Sequence, residues 1–350
     1  MVTALLVVGL AVALFAGINT GGSSIGESFG PSVGSDVVSM RQAGALMAVF
    51  VMLGGYFVGR NVVDTLGTEF VPSEYFTLPA AIGVLLFTGL GILLGNVMRV
   101  SVSTSETAVG AVAGLGAALG VLNWETVGIV ITWWLISPVV AFWLSAVIGR
   151  YFYDRIETIL DLESEGRSTA GKVLVIAIAC YMGFSAGASN VANAVAPLVG
   201  AGVVPLIPAV IFGGLAMGIG AFLIGPRTME TVGNELTDLS LEGALIVEII
   251  AATIITGLSW GGIPASLAIT AITCVIGLGW GRATRQVSIQ KELGLEELTE
   301  VDRQHIEEDT VQLFNQETTR RVVVAWIASP TVAFVLAFVV FKIAALLGFF

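Results

Sequence analysis

Apolar stretches alternate with short polar or charged ones along most of this chain. The apolar stretches are long enough to cross a bilayer, and the shorter ones fit broken or tilted helices. They cover Val2–Ala16, Ala43–Val58, Leu78–Leu94, Val121–Ile148, Lys172–Met182, Val203–Ile224, Ala244–Gly257 and Arg321–Phe349. This pattern predicts an all-α polytopic membrane protein.

One polar, glycine-rich element occurs twice inside the apolar sequence, 166 residues apart. It reads GGSSIGESFGPSVG over Gly21–Gly34 and GASNVANAVAPLVG over Gly187–Gly200. Unsatisfied polar groups in lipid cost several kcal/mol, so such groups are expected to line a cavity. We therefore predict that each element interrupts its helix, and a duplicated break of this kind is typical of transporters with internal repeats.

A second pair of segments follows, rich in small residues and starting with hydroxyl-bearing ones. Alignment of Ser103–Gly120 with Ser266–Gly281 places Thr107 on Thr270. We interpret each segment as a re-entrant hairpin or broken helix. The fold prediction is thus two inverted-topology repeats, residues 1–149 and 170–350.

Two charged linkers, 150–169 and 282–320, interrupt the apolar pattern. They carry most of the basic residues, so the positive-inside rule places both in the cytoplasm and both termini outside the cell. The second linker has apolar residues at loosely helical spacing, which fits a solvated amphipathic helix or a partner-docking element.

Composition excludes several classes of protein. Apolar residues make up 56% of the chain and the mean hydropathy is +0.93, values far from those of soluble proteins. The net charge of -11 argues against a nucleic-acid partner, which would need a basic face. The single histidine, His305, lies in a charged linker, and Cys180 and Cys274 read as buried free thiols. No nucleophile–base or metal cluster is recognisable in the membrane segments, so an enzyme is not expected.

The polar elements predict an anion site. Half-helix N-termini carry partial positive charge, and hydroxyl and amide groups can replace a hydration shell. The alternative is tight packing of small residues without a ligand. The candidate anion ligands are Ser23, Ser24, Ser103, Thr104, Ser105, Ser189, Asn190 and Asn193.

Three carboxylates, Glu27, Glu106 and Glu248, fall inside apolar or polar-element segments. An intramembrane ionisable group is costly and is a functional hypothesis by default. Each could be a cation ligand, a proton carrier or a gate, and a neutral structural role is the alternative. We predict coupling by sodium or a proton, with a sodium ion near Glu27 and Asn190, and no other cofactor.

At these residues the chain resembles the inorganic phosphate transporter (PiT) family, which repeats a GANDVAN…GPxVG signature, each copy followed by a PVSTTH-like segment. The resemblance covers nearly the whole chain. The corresponding segments here are Gly21–Gly34, Val100–Gly116, Gly187–Gly200, Thr231–Leu239 and Pro264–Gly279. The resemblance implies a permease that imports a tetrahedral oxyanion across the cell membrane by alternating access, and a homodimer is expected for such a fold.

The chain departs from the family signature at its chemical positions. The signature aspartate is Ser24 in one half and Asn190 in the other, the first asparagine is Ser23 and Ser189, and the histidine is Glu106. These changes resemble the sulfate-permease branch of the superfamily. Hydrogen phosphate carries a proton and favours an acceptor, whereas sulfate needs only donors. Phosphate by family resemblance, sulfate, and a non-transporting anion sensor therefore stay open.

Overall fold

The computed structural model describes residues 2–98, 102–162, 168–226, 239–285 and 316–349. Within these ranges the regular structure is helical. The helices are α1 Val2–Gly34, α2 Met40–Gly54, α3 Arg60–Asp64, α4 Leu78–Met98, α5 Thr104–Leu119, α6 Trp124–Tyr151, α7 Tyr153–Leu160, α8 Thr169–Gly200, α9 Leu206–Leu223, α10 Leu241–Trp260, α11 Leu267–Ala283 and α12 Gln316–Leu346. Two π-helical turns, Gly55–Gly59 and Thr65–Glu69, flank α3, and a 3₁₀ turn covers Ser73–Tyr75.

Eight helices of the described part are long and apolar enough to cross a membrane, which confirms the predicted polytopic class. The first two spans are longer than predicted, Ala4–Gly34 and Met40–Glu69, because helix continues through polar residues that follow each apolar stretch. Most of the second linker, residues 286–315, and the Thr231–Asp238 part of the family-like stretch lie outside the described residues. The amphipathic helix predicted there is not described.

The predicted interruption of the two glycine-rich elements is wrong. Gly21–Gly34 lies inside the continuous helix α1, and Gly187–Gly200 inside α8. The physical reason is visible in the local bonding: the Thr20 hydroxyl donates to the Ala16 carbonyl at 2.8 Å, and the Ser28 hydroxyl to the Ser24 carbonyl at 3.0 Å. In α8, the Ser185 and Ser189 hydroxyls donate to the carbonyls of Ala252 and Ala265 on neighbouring segments. These hydroxyl groups are thus satisfied without a break of either helix.

The second polar segments do start new helices. Ser103 caps α5 and accepts a hydrogen bond from the Glu106 amide at 3.4 Å, while Ser266 caps α11 and accepts from Ile269 at 3.2 Å. Capping serines satisfy first-turn amides that have no intrahelical acceptor. Both segments therefore present a helix N-terminus, at equivalent points of the two halves.

The two halves pack through reciprocal contacts. Helix α1 lies against α9 and α8 lies against α2. A Cβ atom on Gly21 would overlap the Met217 carbonyl, and one on Gly187 would overlap the Val51 carbonyl. Met217 and Val51 are 166 residues apart, as Gly187 and Gly21 are. Exchanging the two halves therefore turns one contact into the other. Such exchange is the property of a two-fold relation.

A third repeated motif lies in α6 and α12. WLISPVVAF covers Trp134–Phe142 in α6, and WIASPTVAF covers Trp326–Phe334 in α12. Helix α5 packs against α12 and α11 packs against α6, so each half lends its last helix to the other. A Cβ on Gly114 would stand 2.6 Å from the Phe334 carbonyl, and one on Gly277 would overlap the equivalent Phe142 carbonyl. The inverted orientation of the repeats in the membrane stays a prediction.

Polar contacts also join the halves at the end of the bundle where α6 passes into α7. The Arg150 guanidinium donates to the Thr284 carbonyl at 2.8 Å, and Asp154 forms an ion pair with Arg285. The Tyr153 hydroxyl is hydrogen-bonded to Ser240, the capping residue of α10. These residues fix the start of the first linker to the second half.

Candidate functional site

Four of the predicted anion ligands meet between the two halves, in a group we call the polar cluster: Ser24 on α1, Ser105 on α5, and Ser189 and Asn190 on α8. All four are at most 2% exposed. The Ser105 hydroxyl lies 3.0 Å from both the Ser189 hydroxyl and the Asn190 Oδ1, and the Asn190 amide donates to the Ser24 hydroxyl at 3.1 Å. Ser24 and Asn190 are 166 residues apart, so this bond joins equivalent positions of the repeat.

The polar cluster has donors to spare. The Ser189 hydroxyl donates to the Ala265 carbonyl at 2.7 Å, because a carbonyl can only accept. The Ser105 proton then goes to Ser189 or to Asn190. After these assignments the Ser24 hydroxyl keeps its own proton, and the Asn190 amide has a second N–H. The cluster therefore offers hydrogen-bond donors to an incoming acceptor without first breaking all of its own bonds.

Helix N-termini lie next to the cluster. Ser103 and Thr104 stand at the start of α5, two residues and one residue before Ser105, and both are buried. Thr107 donates to the Ser103 carbonyl at 2.7 Å, and Thr270 to the Ser266 carbonyl at 2.8 Å at the equivalent start of α11. The first-turn amides give each start a partial positive charge that favours an anion.

Two further predicted ligands are buried without hydrogen-bond partners in the described part of the chain. They are the Ser23 hydroxyl, 3% exposed as a residue, and both polar atoms of the Asn193 amide, 1% exposed. Ser23 is equivalent to Ser189, but the residue equivalent to Ser105 is Ala268, which has no hydroxyl to offer. Buried polar groups are nearly always satisfied, so these atoms are available to a ligand or to water.

The structure does not bring Glu106 and Glu248 into the polar cluster. Ser185 on α8 donates to the Ala252 carbonyl on α10, while Ser189 reaches Ala265 beyond the end of α10, so the two helices run in the same direction. Glu248 precedes Ala252 by one turn and lies on the far side of Ser185 from Ser189. Its carboxyl group is buried, and within the described residues neither oxygen has a partner.

Glu106 lines a separate cavity between α5, α6 and α12, of about 280 Å³. Its carboxyl group is hydrogen-bonded to the Ser103 side chain. Glu27 lies on α1, one turn after Ser24 and at the position equivalent to Asn193, and is partly exposed. Glu27 thus lies within one helical turn of Ser24, a member of the cluster.

Some residues that support the site were not predicted. The Trp134 indole donates to the Pro264 carbonyl at 2.7 Å and so holds the loop that supplies the Ala265 acceptor. The Ser329 hydroxyl lies 2.8 Å from Thr107 Oγ1 and donates to the Gly91 carbonyl. Both Trp134 and Ser329 belong to the repeated WxxSPxVAF motif, and its recurrence 192 residues apart is the signal that could have found them.

Membrane-spanning helices in two equivalent sets, which enclose a buried cluster rich in hydrogen-bond donors, define a membrane transport protein rather than an enzyme. Residues 20–337 match the model of the phosphate transporter family. The chain belongs to this family.

Similar proteins include members named for two different anions. The sulfate permease CysP of Bacillus subtilis (strain 168) is 31% identical over 258 residues, which are 73% of this chain and 72% of that protein. A Pyrococcus abyssi protein named "Putative phosphate permease PYRAB14010" is 23% identical over an alignment of 433 positions, gaps included, which covers 98% of each chain. A solved structure, "The sodium-dependent phosphate transporter", superposes with a TM-score of 0.75 at 20% identity and covers 98% of this chain and 99% of its own. That likeness shows that the fold is shared.

Proposed function

We propose that this chain is a secondary active permease of the cell membrane that imports inorganic phosphate by alternating access, as a symporter with a cation. The observation that carries the proposal is the polar cluster, where Ser105, Ser189 and Asn190 from two halves meet within hydrogen-bond distance. Membership of the phosphate transporter family supports phosphate as the substrate.

The polar cluster provides the first ligands of the anion. Phosphate oxygens would take the spare protons of Ser24 and Asn190, and Ser105 would exchange one of its two 3.0 Å contacts for the anion. Ser23 and Asn193, buried without partners among the described residues, complete the shell. The starts of α5 and α11, including Ser103 and Thr104, add amide groups.

Import of an anion into a cell with an inside-negative potential needs coupling, because the potential opposes entry by about 2.3 kcal/mol per charge per 100 mV. Glu27, Glu106 and Glu248 are the proposed coupling or gating residues, and sodium or a proton is the proposed coupling ion. Glu27 and Asn190 are the proposed surroundings of a sodium ion, since Glu27 follows the Asn190 partner Ser24 by one turn.

The proposed topology has a pseudo-two-fold axis in the membrane plane, with inverted repeats and both termini outside, as the basic linkers favour by the positive-inside rule. The exchange of the Gly21–Met217 contact with the Gly187–Val51 contact supports the two-fold relation of the halves. Rocking of one half against the other around such an axis would open the cluster to each side in turn. A homodimer in the membrane is part of the same proposal.

Sulfate is the second candidate substrate, and one observation favours it. The hydrogen bonds of the polar cluster involve hydroxyl, amide and carbonyl groups, while the carboxyl groups of Glu106 and Glu248 lie elsewhere. Sulfate has no proton to donate and is satisfied by donors alone, whereas hydrogen phosphate gains from an acceptor. The 31% identity to a sulfate permease points in the same direction.

The test is uptake of radiolabelled phosphate and of radiolabelled sulfate into proteoliposomes that hold the purified full chain. Ser105→Ala and Asn190→Ala should each raise the half-saturating concentration of the transported anion by about tenfold or more, since one charge-assisted hydrogen bond contributes about 1.5–3 kcal/mol. Thr132→Ala is the matched control, because the Thr132 hydroxyl is exposed and bonds to its own helix at Gly128.

Each outcome has a distinct meaning. Phosphate uptake that is weakened by both cluster variants supports the proposal. Sulfate uptake that is weakened by the same variants would instead identify sulfate as the substrate of this site. Uptake of neither anion by folded wild-type protein would contradict a permease for these anions and favour an anion sensor, which binding of the two anions to the same protein would reveal.

A further inference from the structure

The Glu106 cavity, defined by the residues that line it between α5, α6 and α12, takes no part in the polar cluster. Its walls are mainly apolar, and Phe70, Val109, Val130 and Trp134 are among the lining residues. Glu106 and Thr331 supply the ionisable and hydroxyl side chains of the lining. A cavity of about 280 Å³ with a carboxyl group and apolar walls is suited to a small species that a single acceptor can hold.

Along α5, the residues that line the Glu106 cavity run from Glu106 to Ala113. Helices α5 and α6 are joined by a short turn at residues 120–123, and the Asn123 amide in this turn donates to the Phe70 carbonyl at 3.0 Å. Phe70 therefore marks the end of the cavity near the turn. Glu106 lies seven residues before Ala113, so the part of α5 that lines the cavity is about 10 Å long at 1.5 Å per residue.

The repeat shows that this space belongs to one half. Alignment of Ser103 with Ser266 places Glu106 on Ile269, Gly110 on Thr273 and Ala113 on Ile276. The second half thus has isoleucine in place of the glutamate, threonine in place of the glycine and isoleucine in place of the alanine. The first half thus combines the carboxyl group with the small residues that leave room beside it.

We propose that the Glu106 cavity is the route by which a coupling proton reaches Glu106, separate from the path of the anion. The inference rests on the proposed function and names its coupling ion. Apolar walls exclude the anion, and a metal cation would need several oxygen ligands that the lining does not supply. Thr331 already donates to the Ile327 carbonyl, so the Glu106 carboxyl group with its Ser103 partner is what remains to bind a cation.

Protonation of Glu106 acts on the polar cluster through the start of α5. Glu106 is in the first turn of α5, directly after Ser105, which contacts Ser189 and Asn190. A carboxylate at a helix N-terminus offsets the positive end of the helix dipole. When a proton neutralises it, that end regains its attraction for an anion and a nearby negative charge disappears. Proton and anion therefore favour each other's binding, as symport requires.

Other ionisable groups on the neighbouring helices lie away from Glu106. Helix α4 has none, and α5 has no other. On α6, Glu125 stands at the start, and Arg150 and Tyr151 stand at the end. On α12, Glu317, Arg320 and Arg321 fall in the first two turns, nine or more residues before the lining residue Pro330, and the Lys342 amine donates to the Ala118 carbonyl near the turn. Glu69, which precedes the lining residue Phe70 in the chain, is exposed. Among the described residues that line the cavity, Glu106 is the titratable one.

The experiment measures anion accumulation in proteoliposomes under an imposed pH gradient, an imposed sodium gradient, and in anion exchange with no gradient. Wild type should accumulate anion when the outside is acidic. Glu106→Gln should lose at least tenfold of this accumulation and its dependence on outside pH, yet keep anion exchange. Glu125→Gln is the carboxyl control and should behave as wild type, because Glu125 is exposed at the start of α6.

A second variant tests the route without touching the carboxyl group. Ala113→Ile introduces the residue found at the equivalent position of the second half, fills the cavity, and should slow proton-driven uptake several-fold with exchange unchanged. Ala113→Gly is its control and should keep the wild-type rate.

Proton-driven accumulation by Glu106→Gln at the wild-type level would overturn the inference, as would sodium-driven accumulation with no response to pH. Equal rates for Ala113→Ile and Ala113→Gly would overturn the route while the anion proposal stands. Wild-type protein that transports neither anion would instead remove the proposed function itself, and the inference with it.

Discussion

Alanine at either glycine of the reciprocal helix crossings should destabilise the protein by a similar amount. The Cβ atom of Gly187→Ala would meet three backbone atoms of Val51, and that of Gly21→Ala three backbone atoms of Met217. Backbone cannot rotate away as a flexible side chain can, so the helices must separate. Overpacking of this kind costs about 1–3 kcal/mol, and we expect the upper part of that range.

The net effect is smaller, because alanine favours a helix over glycine by about 1 kcal/mol. We therefore expect a loss of roughly 2 kcal/mol in the free energy of unfolding for each variant. Gly257→Ala is the control. Gly257 lies within α10, and a Cβ atom there would have no atom within 4 Å. That variant should gain up to about 1 kcal/mol from helix propensity alone.

The assay is unfolding of the purified protein in mixed micelles by denaturing detergent, followed by tryptophan fluorescence, with glycine and alanine forms of all three positions side by side. Stability of Gly21→Ala and Gly187→Ala equal to that of Gly257→Ala would refute the close helix crossings. A loss at only one of the two crossings would refute their equivalence, and with it the two-fold relation of the halves.

Three further changes have defined expectations. Trp134→Phe should lower the free energy of unfolding by about 1 kcal/mol and slow uptake, because the Pro264 carbonyl loses its donor. The control, Trp133→Phe, lies at a 38% exposed position and should change stability and uptake much less. Asp154→Asn should cost less than about 1 kcal/mol in thermal unfolding, since its ion pair is exposed. Both cysteines, Cys180 and Cys274, are free and buried, so a maleimide should label them only after the protein is denatured, and labelling of the folded state would contradict their burial.

The duplication was predictable from sequence because the same residue types had to serve the same contacts twice. Glycine recurs at positions 21 and 187 because each of these residues packs against a carbonyl of an equivalent helix, where a Cβ atom would not fit. The state of the backbone between them was not predictable in the same way. Serine and threonine can line a broken helix or bond back to an intact one, as Thr20 and Ser28 do, and both outcomes have the same composition.

The candidate site was predictable in its hydroxyl and amide groups, but not in the placement of its carboxylates. Ser105 and Glu106 are neighbours in sequence, yet successive residues of an α-helix point about 100° apart. Ser105 therefore faces Ser189 and Asn190 across the interface, while Glu106 faces the cavity beside α6. The neighbour that each side chain meets depends on the packing of α12 against α5 and of α6 against α11, and the repeated motif in α6 and α12 was not recognised from the sequence.

The departures from symmetry fall at adjacent positions and have a common consequence. Ala268 replaces Ser105 and Ile269 replaces Glu106 in the second half, so one half lacks both the hydroxyl ligand and the carboxyl group. A fully symmetric pair would place a carboxylate in the first turn of both α5 and α11, and two negative charges there would oppose the attraction of both helix starts for an anion. In the proposed cycle, a single carboxylate provides one proton-binding group for one anion. The symmetric contacts can then serve the movement of the halves, while the asymmetric residues set what is carried.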